Sequence, residues 1–454
     1  MAEHRPNRPG PFAIPTAYRA IGPVGLQEAV FALSEASAVW SPPAEPTVIA
    51  VGREAVITGV GRERFETIKA DGTELLDRVE TADLPDLALP RLLGGFGFFD
   101  EQTLDPPWTA FDPAAFTLPR IQVVSTGERT HLTGIASGAE ADRLDRVAER
   151  LESASPEDRP PGQLRTGHSA SKPDRQPTAA GSSQRSATRE AFLRDVERLR
   201  SRIESGPLEK AVLAAAVERP VDSDQPIADV LEALDARYPE TIKFSFAGSR
   251  GLGPEVFFGA TPERLLEKRG RHGETEALAG TIGRGATPSA DRELKDELRQ
   301  NDRIDAEHDF VANHIESRLA KAEARVEVGE RRVRTLANVH HLQTPIDVSL
   351  PAETHVLDVV EALHPTPAVG GHPAEQACAF IRETEHTPRG WYASPVGWFD
   401  ASGDGTFAVA IRSALRRDDR ATLFAGNGIV AGSDPATEWE ELLAKLEPLE
   451  AVLQ

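Results

Sequence analysis

Apolar residues along this chain keep two rhythms. Stretches with a three-to-four-residue spacing predict helices, and short dense runs predict strands. Residues 48–51 and 55–58 read as a hairpin about Gly52, Arg53 and Glu54. The run 92–99, LLGGFGFF, reads as a strand loosened by glycine, and 116–124, FTLPRIQVV, as a strand with an edge or bulge at Pro119. Residues 139–152 form a charged amphipathic helix. Thr188 caps a helix whose stripe is Phe192, Val196, Leu199 and Ile203, stopped by Gly206 and Pro207. Lys210 opens the strand KAVLAAAVE. A helix over 226–237 and a strand over 242–247 follow, then a hairpin running from 256–266 through a turn at 269–273 into 275–278. One long helix is expected over 290–320. Strands at 394–399, 407–415 and 422–424 close the pattern.

The last stretch, 424–446, is the richest. A short apolar strand is interrupted by Gly426 and Gly428, where a backbone must approach something closely. Asp434 and Pro435 supply an N-cap and a first-turn proline. On the helix that follows, Glu438, Glu441 and Lys445 share one face, beside an apolar stripe of Trp439, Leu442, Leu443 and Leu446.

Between 153 and 187 the chain turns to Pro, Ser and Gly with almost no large aliphatic residue, so it reads as a flexible linker or long surface loop. It separates an N-terminal part, 1–152, from a second region, 188–454.

Composition narrows the function. Of 454 residues, 72 are acidic and 51 basic, a net charge of −21 in which arginine supplies nearly all the positive charge. No extended basic surface exists to neutralise phosphates, which argues against nucleic acid as a partner. Such an acidic, lysine-poor surface suits high salt, where screening tolerates self-repulsion. Cys378 is the single cysteine, leaving neither a disulfide framework nor a thiolate cluster, and its apolar neighbours place it in the core. No apolar run reaches membrane-spanning length, and the first residues lack a signal-peptide core, so the expectation is a cytoplasmic protein without a membrane partner.

Three further side chains carry chemistry. Lys210 sits either at the exposed mouth of its strand or buried as a general base. Glu263 stands where an apolar strand bends, either protonated by its surroundings or paired with Arg264. Glu307 shares the apolar helix face of Ile304, Phe310, Val311 and His314. It therefore needs a partner: a cation shared with Glu438 and Glu441, a hard oxygen set suited to Mg²⁺, or an arginine of a neighbouring helix. A zinc site at His340, His341 and His364 is disfavoured. Adjacent histidines cannot face one metal from a regular element, and HExxH is absent.

Nine segments occur in an order that resembles one family: KAVLA, FFGATPERL, ALAGT, AEHDFV, HHLQTP, LHPTPAVGG, RGWYASPVGW, FAVAIRSAL and FAGNGIVAGSDPATEWEELLAK. This is the order of the chorismate-using enzymes: isochorismate, anthranilate, aminodeoxychorismate and salicylate synthases. The resemblance runs from Thr188 to Lys445, and more weakly through LLGGFGFF and FTLPRI. It implies an α+β, aminodeoxychorismate-synthase-like fold of two packed sheets with outer helices. Within the family the chain looks most like an isochorismate synthase, because Lys210 occupies the place of the lysine that activates water. The resemblance implies that Lys210 is the base and Glu263 the acid. It implies Glu307, Glu441 and Glu438 as Mg²⁺ ligands, Glu438 through water. It implies Gly280, Thr281, His341, Thr344, Arg412, Gly426, Gly428 and Lys445 as substrate contacts. The expected reaction turns chorismate into isochorismate for menaquinone or siderophore precursors, in a monomer or weak homo-oligomer. The rivals are a salicylate synthase, which also eliminates pyruvate, and a silent chorismate-binding protein. Arg303, Ile304 and Asn427 depart from the family pattern; a small residue is usual at the last position.

Overall fold

The computed structural model describes residues 13–33, 36–100, 105–135, 140–153, 187–250, 255–335 and 339–453. All but the ends of the expected linker lie outside them.

In chain order the strands are β1 Thr16–Ile21, β2 Ala36–Ser41, β3 Thr47–Val51, β4 Ala55–Gly59, β5 Arg91–Phe96, β6 Ala114–Leu118, β7 Ile121–Ser125, β8 Thr130–Ile135, β9 Lys210–Pro220, β10 Ile242–Ala247 and β11 Val256–Thr261. They continue with β12 Arg264–Arg269, β13 His272–Gly283, β14 Arg325–Val328, β15 Arg332–Thr335, β16 Val339–Ser349, β17 Gly371–His372, β18 Pro395–Asp400, β19 Gly405–Val409, β20 Ser413–Arg417 and β21 Arg420–Ile429. The helices are α1 Leu26–Ala32, α2 Arg64–Asp77, α3 Glu140–Ser153, α4 Arg189–Ser205, α5 Ile227–Arg237, α6 Pro288–Gln300, α7 Asp302–Lys321, α8 Val356–Leu363, α9 Ala374–Thr384 and α10 Pro435–Glu450.

Two large antiparallel sheets form. The first runs β1-β8-β7-β3-β2-β10-β11-β20-β21-β9-β17, and the second β14-β16-β13-β12-β19-β18-β5-β6-β4, with β15 also on β16. The main core lies between them. Trp40, Val48, Phe244 and Phe257 of the first sheet share one cluster with Leu93, Val396 and Trp398 of the second, and Trp391 fills the space against Phe111 and Phe246. Helices cover the outer faces. Phe192 and Val196 of α4 and Leu442 and Leu446 of α10 pack on Leu213, Ala215 and Leu423. Cys378 is partly buried against the main core. The α+β expectation therefore holds, and each sheet draws strands from both halves of the chain.

Several element expectations need correction, and most share one cause. The hairpin of 48–51 with 55–58 does not form. β3 pairs with β2 and β7, whereas β4 pairs with β6 in the other sheet. The run 116–124 is two strands, β6 and β7, split at Pro119 and Arg120 between the sheets. The run 256–266 divides at Pro262 and Glu263 into β11 and β12, and 407–415 divides before Arg412 into β19 and β20. In each case the chain turns a corner from one sheet to the other. A run buried on both sides of that corner stays apolar throughout, so its composition hides the turn. The long helix of 290–320 is likewise two helices. Asn301 interrupts it and recaps α7, its Oδ1 accepting from the Ile304 amide at 3.2 Å. Leu443 is 38% exposed and lies off the docked stripe of α10.

Candidate active site

The corners build the site. At Pro262 and Glu263 the chain leaves the first sheet, and at residues 410–412 a neighbouring segment returns to it. The two corners are tied together: Val409 N donates to Glu263 O at 3.0 Å, and Ala260 N to Arg412 O at 3.1 Å. Arg412 takes a positive φ of 52° there. The two corners thus lie side by side along one seam, while the Glu263 and Arg412 side chains line separate cavities.

β9 and β21 run antiparallel beside this seam, with Gly428 opposite Val212 and Gly426 opposite Ala214. Lys210 is buried at the first residue of β9 and folds across the neighbouring strand. A methyl group on Gly428 would stand 2.6 Å from its Cε and 3.2 Å from its Nζ. Glycine here is a requirement of close approach. Of the two readings of Lys210, burial prevails.

Glu263 is buried and its carboxyl is pushed up to about 8. Loss of water is the main cause and the nearby Glu276 charge adds to it, while Lys210 pulls the other way. Glu276 is occupied elsewhere, by Arg334 at 3.0 Å and by Gln343. Arg264 pairs with Glu45 and Glu267, so the pairing of Glu263 with Arg264 gives way to the protonated acid.

α10 closes the site from the side. Asp434 Oδ1 accepts from Thr437 N at 2.9 Å, and Leu442, Leu446 and Leu449 bury one face. The neighbouring face reaches back to β21. Lys445 Nζ donates to Gly426 O at 3.0 Å and to Asn427 Oδ1 at 2.7 Å. Burial and the Arg412 charge lower Lys445 to about 8, against the pull of Glu441 and Glu438. Arg412 Nη1 donates to the Lys445 carbonyl at 3.2 Å. Burial, then Arg412, lowers His341 to about 4, leaving a neutral imidazole that also hydrogen-bonds the Gly280 backbone. Gly280 is the extra residue of a bulge between β13 and β16, with φ of +77°. A Cβ there would lie 2.3 Å from Ile304 of α7.

That contact brings in α7. Ile304 packs under Gly280, and Phe310 packs on His372 with ring centroids 4.3 Å apart. His372 is the register partner of Lys210. The turn of α7 that carries Glu307 therefore lies between the Gly280 bulge and the Lys210 end of β9. The side chains of Glu307 and Thr281 lie outside the described residues. Thr344 has its hydroxyl 2.7 Å from His308 Nε2, and His308 Nδ1 is 3.3 Å from Ala279 O. A carbonyl only accepts, so Nδ1 carries the proton and Nε2 accepts from Thr344. This buried link fastens α7 to both strands beneath Gly280. It was not foreseen, although the histidine directly after Glu307 was the available signal.

Glu438 and Glu441 suit a hard divalent cation. Surrounding protein, then the Glu438 charge, raises the Glu441 carboxyl, with Lys445 opposing. Two carboxylates that repel each other beside a cleft are relieved by a shared cation. Among the described residues, the one group of three side chains with metal-ligand spacing is the exposed His272, Glu274 and Asp347, away from this site. His340 is held by Asp291 at 2.9 Å, and His364 meets Phe98 O at 3.0 Å.

Residues 2–454 match the family model described as chorismate binding enzyme. The chain belongs to that family. Over 421 residues this chorismate-binding enzyme is 34% identical to the salicylate biosynthesis isochorismate synthase of Pseudomonas aeruginosa, covering 91% of this chain and 84% of that protein. Over 426 residues it is 33% identical to the isochorismate synthase MenF of Bacillus subtilis, covering 91% and 87%. Its fold matches that of MenF, the menaquinone-specific isochorismate synthase from Escherichia coli, with a TM-score of 0.75 over 97% of this chain and 95% of that one, at 24% identity. No helix among the described residues is long and apolar enough to cross a membrane.

Proposed function

We propose that this protein is an isochorismate synthase that converts chorismate to isochorismate with Mg²⁺, for menaquinone or siderophore precursors. The observation that carries the reading is the pairing of a buried lysine with a carboxyl group that holds its proton near neutral pH. Lys210 opens β9 and Glu263 stands at a sheet corner, yet the carboxyl feels the lysine's charge. One is suited to take a proton and the other to give one.

Chorismate is a dianion. Arg412 and Lys445 would hold its carboxylates, and Glu307, Glu438 and Glu441 the metal. The bound cation supplies charge neutralisation for a substrate carboxylate. Lys210 takes a proton from a water as its oxygen bonds to C2 of the ring. Both conjugated ring double bonds shift, C1=C2 to C1=C6 and C5=C6 to C4=C5, and the C4–O bond breaks. Glu263 gives its proton to the departing hydroxyl, which leaves as water. One water enters and one leaves, so the product is an isomer. The Lys210 ammonium and the Glu263 carboxylate then exchange a proton through solvent, restoring both. Gly280 lets α7 approach the strand closely, and neutral His341 donates or accepts without adding charge.

The test is a chorismate assay with product identification, with and without Mg²⁺. Isochorismate free of pyruvate is expected. Lys210→Ala is expected to lose turnover and keep Mg²⁺-dependent chorismate binding. Pyruvate release without an added lyase would overturn the reading in favour of a salicylate synthase. Binding without turnover in the unmodified protein would make it a silent binder.

A further inference from the structure

We infer that Asn427 is a positioning residue that keeps Glu438 and Lys445 from pairing with each other, and so holds the metal site open; this rests on the metal reading above. Asn427 is 1% exposed and sits in β21 opposite Leu213. Strand alternation turns its side chain to the opposite face from its neighbours Gly426 and Gly428. Both N–H groups and the oxygen of its amide are engaged. Nδ2 donates to Glu438 O at 2.7 Å and to Glu438 Oε2 at 2.8 Å, and Oδ1 accepts from Lys445 Nζ at 2.7 Å. The amide has one tolerable orientation. Turned over, its oxygen would face two oxygens of Glu438 and its NH₂ would face an ammonium.

Glu438 and Lys445 are seven residues apart on α10, two turns along one face. Without an intermediary, a carboxylate and an ammonium so placed would close on each other. The amide prevents this by giving each charge a neutral partner of the right polarity. Both groups are satisfied and neither is neutralised. Glu438 keeps its negative charge for a cation, and Lys445 keeps its positive charge for a carboxylate. A small apolar residue at 427 would release both.

Mn²⁺ binding measured by electron paramagnetic resonance, without substrate, tests this independently of turnover. Asn427→Ala is expected to weaken Mn²⁺ binding roughly 10-fold or more and to raise the chorismate KM more than it lowers kcat. Adding Lys445→Met is expected to raise Mn²⁺ affinity more in the Asn427→Ala background than in the otherwise unmodified protein, because only there does the cation compete for Glu438; an equal gain in both backgrounds would be simple removal of a charge beside the site and would overturn the inference. If Asn427→Ala does not fold, Asn427→Ser, too short to reach both partners, replaces it. Mn²⁺ affinity of Asn427→Ala within twofold of the unmodified protein also overturns the inference. Glu441→Gln serves as the control. If unmodified protein binds no Mn²⁺, or binds it as tightly after Glu441→Gln, the metal reading itself fails and the inference with it. If that control behaves and Asn427→Ala does not, the inference alone falls.

Discussion

Gly428 and Lys210 are in direct contact: the hydrogen that faces the lysine leaves no room for a methyl group, which would sit 2.6 Å from Cε. The strand and the base are therefore fitted to each other. Gly428→Ala must push the amine aside, because the backbone is held by β9 on one side and the α10 contacts on the other. A misplacement of about 1 Å costs on the order of 100-fold in rate. The expected outcome is a kcat loss of roughly 10- to 100-fold with a smaller change in KM and an intact fold, checked by steady-state kinetics beside circular dichroism.

Glu263 makes the pH dependence specific. Its folded-state carboxyl titrates at about 8, raised from the ordinary value of 4.5. The general acid is present below that pH, so kcat/KM should fall as pH rises through about 8. The same shift acts on stability. A carboxyl whose folded pKa is raised favours the fold fully below the unfolded value, and this advantage disappears as pH climbs from about 4.5 to about 8. Glu263→Gln should remove that loss. It is expected to abolish turnover while making the protein more stable than the unmodified chain at pH 8, by up to a few kcal/mol. Urea unfolding at pH 5 and pH 8 decides it; equal stability difference at both pH values would contradict a buried proton.

Glu441→Gln tests the cation directly. Removing one of two mutually repelling carboxylates leaves fewer hard oxygen ligands and less negative charge. The Mg²⁺ concentration giving half-maximal activity should rise roughly 10-fold or more, by analogy with the loss of a supporting ligand. An unchanged Mg²⁺ titration would remove Glu441 from the metal set.

His308 is buried and bridges Thr344 to Ala279 O. His308→Ala leaves a buried hydroxyl and a carbonyl without partners and opens a space beneath α7. A loss of about 2–4 kcal/mol is expected, read by urea unfolding. Because the same turn carries Glu307, the Mg²⁺ titration should also weaken. His308→Gln, which can donate and accept, should recover part of both. A stability loss with an unchanged Mg²⁺ titration would make His308 a packing residue alone.

Much of this was legible along the chain. The caps at Thr188 and Asp434, the shared face of Glu438, Glu441 and Lys445, and the glycines that interrupt the strand at 426 and 428 are local features, set by residues a few positions apart. The ordered segments sufficed to identify the family. What local patterning could not say was which sheet each half of an apolar run would join. Burial is recorded in composition, but the identity of the burying partner is not. Only the tertiary structure turned 256–266 into two strands with Glu263 at the corner. Only it set Glu276 and Lys210 close enough to act on that proton, and placed the Asn427 amide between two charges of the helix that follows. Desolvation and Coulomb forces act through space, so the proton on Glu263 is decided by groups 13 and 53 residues away in the numbering of Glu276 and Lys210.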